Sequence, residues 1–168
     1  MFARTERLLL RPGWAEDAPA LATAIADEMI VRNLATAPWP YSLRDAEAFL
    51  AQPRDPILPS FLIFARTLGA PRLVGSCGLG RRPSGAVELG YWISRPYWGN
   101  GYATEAAAAL IAYGFGEMQL QRIVATTEHA NTPSQAVMTR LGMRLDRNPD
   151  PEPPWFQVVG ILDAVPRL

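Results

Sequence analysis

The chain predicts a mixed α/β (α+β) fold, with a mostly antiparallel central sheet of six to seven strands and about four helices on its two faces. Three observations lead there: a run of short strands separated by glycine- and proline-bearing turns, a strand-helix-strand-helix-strand order after it, and enough apolar residues for one core. With 168 residues, 49% of them hydrophobic, the chain has the length of a single domain. No repeat, linker or shift in composition divides it, so residues 1–168 are expected to form one unit.

Glu6 to Pro12 reads as the first strand. Ala18, Leu21, Ala22, Ile25 and Met29 recur at helical spacing and predict a helix from Ala15 to Ile30. Ser42-Leu43-Arg44-Asp45 has the Ser-x-x-acid pattern of a helix start, with Ala46, Phe49 and Leu50 as its apolar stripe. Pro53, Pro56 and Pro59 end this short helix, because proline lacks an amide hydrogen and disfavours helix in the residue before it. Ser60 to Thr67, Arg72 to Leu79 and Ala86 to Ser94 follow as strands. Their turns, Gly69-Ala70-Pro71 and Pro83-Ser84-Gly85, are short enough to require an antiparallel meander.

Tyr102 to Met118 is alanine-rich, and Ala106, Ala109, Leu110, Tyr113 and Phe115 mark it as a buried helix. Arg122 to Glu128 is a further strand and Thr132 to Leu141 a further helix. In that helix Thr132 is the expected cap, Pro133 the first helical residue, Gln135 the reciprocal cap and Gly142 the left-handed terminator. Arg144 to Asp146 and Trp155 to Leu162 close the sheet around the proline-rich loop from Asn148 to Pro154.

Sixteen acidic residues balance sixteen basic ones, so no net field favours nucleic acid or an anionic membrane, and neither is an expected partner. Every basic residue is arginine; the absence of lysine excludes Schiff-base catalysis and any phosphate loop that needs its lysine. No apolar stretch approaches about 18 residues, and Met1 to Arg11 lacks the apolar centre of a signal peptide, which predicts a cytoplasmic protein. The lone Cys77 lies in the strand-like run Leu73 to Leu79 and reads as a buried structural thiol, with an acyl-accepting nucleophile as the alternative. No metal-ligand set is predicted.

The chemistry concentrates where the strand Ala86 to Ser94 runs through Arg95-Pro96-Tyr97-Trp98-Gly99-Asn100-Gly101 into the alanine-rich helix. A glycine turn at a helix mouth aims successive amides at one point, the helix dipole reinforces them, and the paired glycines admit a close ligand, so the segment suits a phosphate or pyrophosphate. A plain structural turn is the alternative. Phosphate-loop and dinucleotide readings fail, because the third glycine and the Lys-Ser/Thr pair are missing.

Glu88-Leu89-Gly90-Tyr91-Trp92-Ile93, followed by Tyr97-Trp98-Gly99-Asn100-Gly101-Tyr102-Ala103-Thr104-Glu105-Ala106, resembles the coenzyme A motif of the GNAT superfamily. Within it the nearest resemblance is to the Rim-type acetyltransferases, which modify the N-terminal amine of ribosomal proteins. Thr5 to Pro12, Pro40 to Leu50, Asn131 to Ser134 and Leu141-Gly142-Met143 resemble them too, so the likeness spans nearly the whole chain. Pro96 departs from the Gln or Arg that many superfamily members carry there.

The resemblance implies the GNAT fold, with acetyl-CoA as co-substrate and an amine as acceptor. By position it implies that Tyr91, Trp92 and Ile93 pair with the pantetheine arm. Amides from Trp98 through Gly99, Asn100, Gly101, Tyr102 and Ala103, with Thr104 in the same turn, would hold the pyrophosphate, and Asn131 would contact pantetheine. Ser134 would stand near the thioester sulfur as proton donor, or merely support its helix. Glu88 is the candidate base, directly or through water, with His129 the alternative and a cross-strand partner the plain reading of the glutamate. Trp92 and Trp98 also read as packing residues, while Trp39 and Tyr41 fall where Rim-type enzymes shape the acceptor cleft.

A protein N-terminal amine is the leading acceptor. Leaving an α-amine neutral at pH 7 costs about 1 kcal/mol, against about 4.6 for a lysine side chain. A small-molecule amine such as a polyamine or antibiotic is the second reading, and a non-catalytic acyl-CoA-binding module the third. A monomer or a homodimer is expected.

Overall fold

The computed structural model describes residues 2–34, 36–67, 69–147 and 157–164. At its start the expected single strand Glu6–Pro12 is a hairpin, β1 (Ala3–Arg4) and β2 (Leu8–Arg11), with Ala3 opposite Leu10. The reversal is local chemistry: Thr5 N donates to the Leu8 carbonyl (3.0 Å), and Leu8 N donates to Thr5 Oγ1 (3.0 Å).

The helix expected from Ala15 to Ile30 is interrupted. A 3₁₀ turn at Ala15–Asp17 leads into α1 (Ala18–Ile25), and a separate short helix, α2 (Glu28–Val31), follows. Between them Ala26 leaves helical geometry (ψ 61°), and the Asp27 side chain accepts from Met29 N, so the aspartate caps a new helix. The apolar spacing runs on through the break, because Ile25, Ile30 and Val31 all enter one small cluster. Periodicity alone therefore does not show it.

Helix α3 (Leu43–Ala51) has the reciprocal cap the sequence predicts: Asp45 N donates to Ser42 Oγ and Ser42 N to Asp45 Oδ2. Gln52 turns extended before Pro53, as a pre-proline residue should. Strands β3 (Ser60–Ala65), β4 (Arg72–Arg81) and β5 (Val87–Ile93) then form the antiparallel meander. Helix α4 (Tyr102–Gly116), β6 (Arg122–Glu128), α5 (Thr132–Arg140), β7 (Arg144–Asp146) and β8 (Gln157–Asp163) complete the chain. Trp155 and the loop 148–154 lie outside the described residues.

One eight-stranded sheet results, in the order β1-β2-β3-β4-β5-β6-β8-β7. Strand and helix counts exceed the six to seven and four expected, because β1 is separate and the early helix is split. Every neighbouring pair is antiparallel except β5 and β6, which run parallel and meet at a single register position, Glu88 opposite Val124. β6 spends its other edge on β8 along all seven residues. The sheet is thus two antiparallel halves joined low on β5.

Helices cover both faces. On the α4–α5 side Leu8, Leu10, Ile63, Leu110, Ile123 and Met138 build the main core, fully buried. On the α1–α3 side Ala18, Leu21, Ala46, Leu62 and Phe64 build a second. β5 alternates between them: Val87, Leu89 and Ile93 enter the main core, and Trp92 packs against the clusters on the other side. Cys77 sits in the main core, and burial pushes its thiol up to about 12. A protonated, enclosed thiol is a packing group, so the acyl-accepting alternative is set aside. No helix among the described residues is long and apolar enough to cross a membrane.

The start of α5 corrects the expected cap. Asn131, not Thr132, occupies the N-cap, its Oδ1 accepting from Ser134 N (3.2 Å). Gln135 makes no reciprocal cap; its Nε2 donates to the carbonyls of Glu128 (3.3 Å) and His129 (2.9 Å), tying the helix to the end of β6. Asparagine one residue earlier offers the better acceptor, and Thr132 and Pro133 both fit inside the first turn. Gly142 adopts the expected left-handed φ of 81°.

Beneath the second cluster, Asp17 accepts two bonds from the Arg11 guanidinium (2.7 and 2.8 Å) and one from Trp14 N (2.7 Å), and Arg11 lies over the rings of Trp14 and Phe64. Burial of Asp17 opposes its ionisation, but the Arg11 bonds, the Trp14 amide and the arginine charge outweigh it and hold its carboxyl below the ordinary aspartate value. A depressed folded-state value means the pair stabilises above the unfolded pKa near 3.9 and loses that contribution as pH falls through the folded value. Asp17→Asn should cost about 3 kcal/mol at pH 7. In urea titrations the gap to wild type should narrow steadily below about pH 4.

Candidate functional site

Strand β5 positions the site. Ser94 N donates to the Val74 carbonyl (2.8 Å), so the 74/94 pair and, by alternation, the 76/92 and 78/90 pairs exchange the hydrogen bonds with β4. The amides of Tyr91 and Ile93 therefore turn the other way, into the opening above the Glu88–Val124 junction. The Ile93 carbonyl, turned the same way, accepts from Trp98 Nε1 (2.6 Å).

Beyond β5 a 3₁₀ turn, Arg95–Tyr97, leads to Trp98 and the Gly99-Asn100-Gly101 loop. Gly99 and Gly101 both take left-handed φ values (78° and 77°), which a side-chain-bearing residue reaches only under strain. A Cβ on Gly99 would meet nothing within 4 Å, so its surface is open. Gly101 is the N-cap of α4 and offers no side chain, and the first helical bond is Glu105 N to the Gly101 carbonyl. The amides of Tyr102, Ala103 and Thr104 thus have no partner within the helix. Three uncapped amides at the mouth of a 15-residue helix, next to two loop glycines, fit a diphosphate. Tyr102 itself is buried, while Thr104 is partly exposed in the same turn.

The loop is braced from outside. Asn100 Nδ2 donates to the carbonyls of Tyr97 (3.0 Å) and Trp98 (3.3 Å), and Arg7 Nη1 donates to the Asn100 carbonyl (2.9 Å). Arg7 also pairs through Nε with Glu105 Oε2 (2.7 Å), and Glu105 Oε1 accepts from Arg7 N (2.9 Å) and Thr5 Oγ1. Arg95 stacks over the Trp98 ring (4.2 Å). Sequence reasoning missed Arg7 and Glu105. They stand 98 residues apart, and the only local signal was an acid in the first turn of a helix.

Across the opening, Ser134 faces Tyr91. Tyr91 Oη lies 2.9 Å from Ser134 Oγ and 3.2 Å from the Ser134 carbonyl. Burial raises the Tyr91 hydroxyl above its ordinary value, against a smaller opposing effect of the serine bond, so at neutral pH it remains a donor. Asn131 is engaged twice, capping α5 and donating through Nδ2 to Asn33 Oδ1 (3.1 Å). That second bond joins the start of α5 to the turn after α2, across the top of the opening.

Glu88 lies on the opposite face of β5 from Tyr91, on the side of α1 to α3. Its Oε2 pairs with Arg82 Nε (3.1 Å), and Arg82 Nη2 reaches on to Thr126 Oγ1 of β6, so the guanidinium bridges the two strands near their junction. The pair is partly exposed, its side chains 25% and 31% accessible. His129 is exposed, and only its carbonyl is engaged, by Gln135. Tyr41 packs against the same clusters as Trp92, and burial together with the Asp45 charge raises its hydroxyl pKa. Trp39 stands 52% exposed nearby in sequence. The structure thus gathers Tyr91, Ile93, the 98–104 turn, Asn131 and Ser134 around one opening, while Glu88 and Tyr41 lie on the face towards α1 to α3.

Residues 7–144 match the family described as the acetyltransferase (GNAT) domain. The chain is 32% identical over 146 residues to p20 of Bacillus licheniformis, an uncharacterized N-acetyltransferase, covering 83% of this chain and 80% of that one. Among solved structures, a candidate ribosomal-protein-serine acetyltransferase from Vibrio cholerae aligns with a TM-score of 0.80 at 26% identity, over 97% of both chains. RimL, a ribosomal L7/L12 α-N-protein acetyltransferase solved with coenzyme A, aligns with a TM-score of 0.78 at 17% identity over 98% of both, a likeness of fold. With residues 7–144 inside that family and a relative 32% identical over most of both chains, the chain belongs to the GNAT acetyltransferases and is an acetyl-CoA-dependent N-acetyltransferase.

Proposed function

We propose that the acceptor is the α-amine of a protein N-terminus, and that the two faces of β5 divide the chemistry. Bound acetyl-CoA supplies the acetyl group as a thioester. Five residue steps along β5 take the strand from Ile93 to Glu88, about 17 Å, roughly the reach of an extended pantetheine arm. The turn 98–104 holds the diphosphate end, and the Tyr91 and Ile93 amides and Asn131 hold the arm. Of the two outward amides, that of Tyr91, nearer the Glu88 end and Ser134, serves the thioester oxygen as a hydrogen-bond donor. Trp92 packs behind the strand on the side of α1 to α3, and Trp98 ties the loop to β5 through the Ile93 carbonyl.

Ser134 is the proton donor to the departing sulfur. Tyr91, which donates to the Ser134 carbonyl and lies 2.9 Å from Ser134 Oγ, holds the serine hydroxyl in place and can exchange a proton with it. On the other face Glu88 accepts the proton of the amine through water. The observation that carries the choice of acceptor is the placement of Glu88, a carboxylate paired with Arg82 on the face towards α1 to α3: a carboxylate acting through water suffices for an amine that is nearly neutral at pH 7, whereas a lysine side chain must first lose a firmly held proton. Trp39 and Tyr41 line the approach to that face, where an exposed aromatic can hold a peptide terminus. The likeness to a candidate ribosomal-protein-serine acetyltransferase supports the same acceptor class.

Short peptides that differ in their first residue, compared with polyamines and aminoglycosides, should be the amines that release free coenzyme A from acetyl-CoA. Release with the small amines alone would overturn the N-terminal reading. Calorimetry and steady-state rates separate the binding and chemical roles. Ser134→Ala should lower kcat about 10- to 100-fold with acetyl-CoA affinity close to wild type. Gly101→Val, which places a β-branched residue at φ 77°, should instead weaken acetyl-CoA binding about 10-fold or more. Equal losses of affinity in both variants would refute the division. Glu88→Gln should lower kcat with a peptide acceptor by about 100-fold or more and leave the KM for acetyl-CoA within about threefold; an unchanged kcat removes Glu88 as the base.

A further inference from the structure

We propose that Arg7 is a positioning residue for acetyl-CoA: by holding the Asn100 carbonyl it fixes the Asn100–Gly101 peptide so that the Gly101 amide faces the diphosphate. The inference rests on the reading of residues 98–104 as the diphosphate cradle and adds the part that sets its geometry. In a planar trans peptide the C=O and N–H point in opposite directions. Arg7 Nη1 holds the Asn100 carbonyl at 2.9 Å, so the Gly101 N–H points away from Arg7.

The restraint has something to oppose. A peptide that precedes glycine flips at little steric cost, because Gly101 adopts positive or negative φ with similar ease. The side chain of Asn100 fixes only the preceding part of the loop, through the Tyr97 and Trp98 carbonyls. Nothing else among the described residues is bonded to the Asn100 carbonyl, and Arg7 Nη2 would sit 3.5 Å from a Cβ placed on Gly101. Arg7 is itself held by Glu105 Oε2 and packs 4.9 Å from the centre of the Tyr102 ring. The Glu105 pair also offsets its charge, so its effect on the ligand is through loop geometry. A residue from the N-terminal hairpin thereby sets the direction of one amide in a loop 93 residues away.

The test compares acetyl-CoA with acetyl-pantetheine, which keeps the thioester arm and lacks the diphosphate, using one peptide acceptor. Wild type should prefer acetyl-CoA in kcat/KM. In Arg7→Gln that preference should fall about 10- to 100-fold, through KM for acetyl-CoA with kcat within about twofold. Arg7→Lys keeps a cation for Glu105 but has no fork to span both partners, so it should fold and show the same loss even if the glutamine variant does not. A lysine variant with the wild-type preference, or one that loses both thioesters equally, overturns the inference and leaves the cradle standing. Wild type using both thioesters equally removes the cradle itself, and the inference with it.

Discussion

The two antiparallel halves of this sheet meet at one parallel position, Glu88 opposite Val124, and every part of the site depends on what that junction leaves open. Above it β5 continues for five residues bonded to β4 on one side only, with the Tyr91 and Ile93 amides directed outward. Unpaired strand amides inside a sheet are costly unless something pairs with them. Here the opening leads from the loop at the top of β5 down to the junction, a shape that accepts an extended chain lying between the strands. A longer β5–β6 ladder would pair those amides and remove the site.

Because strand residues alternate, the same opening has two chemically different walls. Tyr91 projects towards α5 and meets Ser134, both of them hydroxyl groups. Glu88, Trp92 and, across the junction, Thr126 face the other way, where Arg82 ties Glu88 to β6. One wall thus presents two hydroxyl groups and the other a carboxylate paired with a guanidinium, separated by the thickness of one strand. The hydrogen bond from Asn131 to Asn33 then joins the α5 side to the α2 turn.

Much of this was legible in the residues. The meander, α4, β6, the reciprocal cap of α3 and the left-handed Gly142 all follow from local rules, because turns, caps and alternation are decided within a few residues. The glycine turn before an alanine-rich helix was readable for the same reason. The early helix was misread because apolar spacing persists through a break that Asp27 creates by capping. The α5 cap was misplaced by one residue because Asn131 and Thr132 are both good caps, and the choice depended on where Gln135 had to reach.

By itself the sequence determined most of the elements, their order and the glycine turn before α4, since each is set by conformational preferences of short segments. The tertiary structure alone decided the rest: that β8 inserts between β6 and β7, that Glu88 is tied to Arg82 and Thr126, that Tyr91 meets Ser134 43 residues away, and that Arg7 reaches Asn100 across 93. Those contacts join residues distant in the chain, and no local preference encodes a distance between elements. Only packing two helical layers against one opened sheet brings them within hydrogen-bonding range.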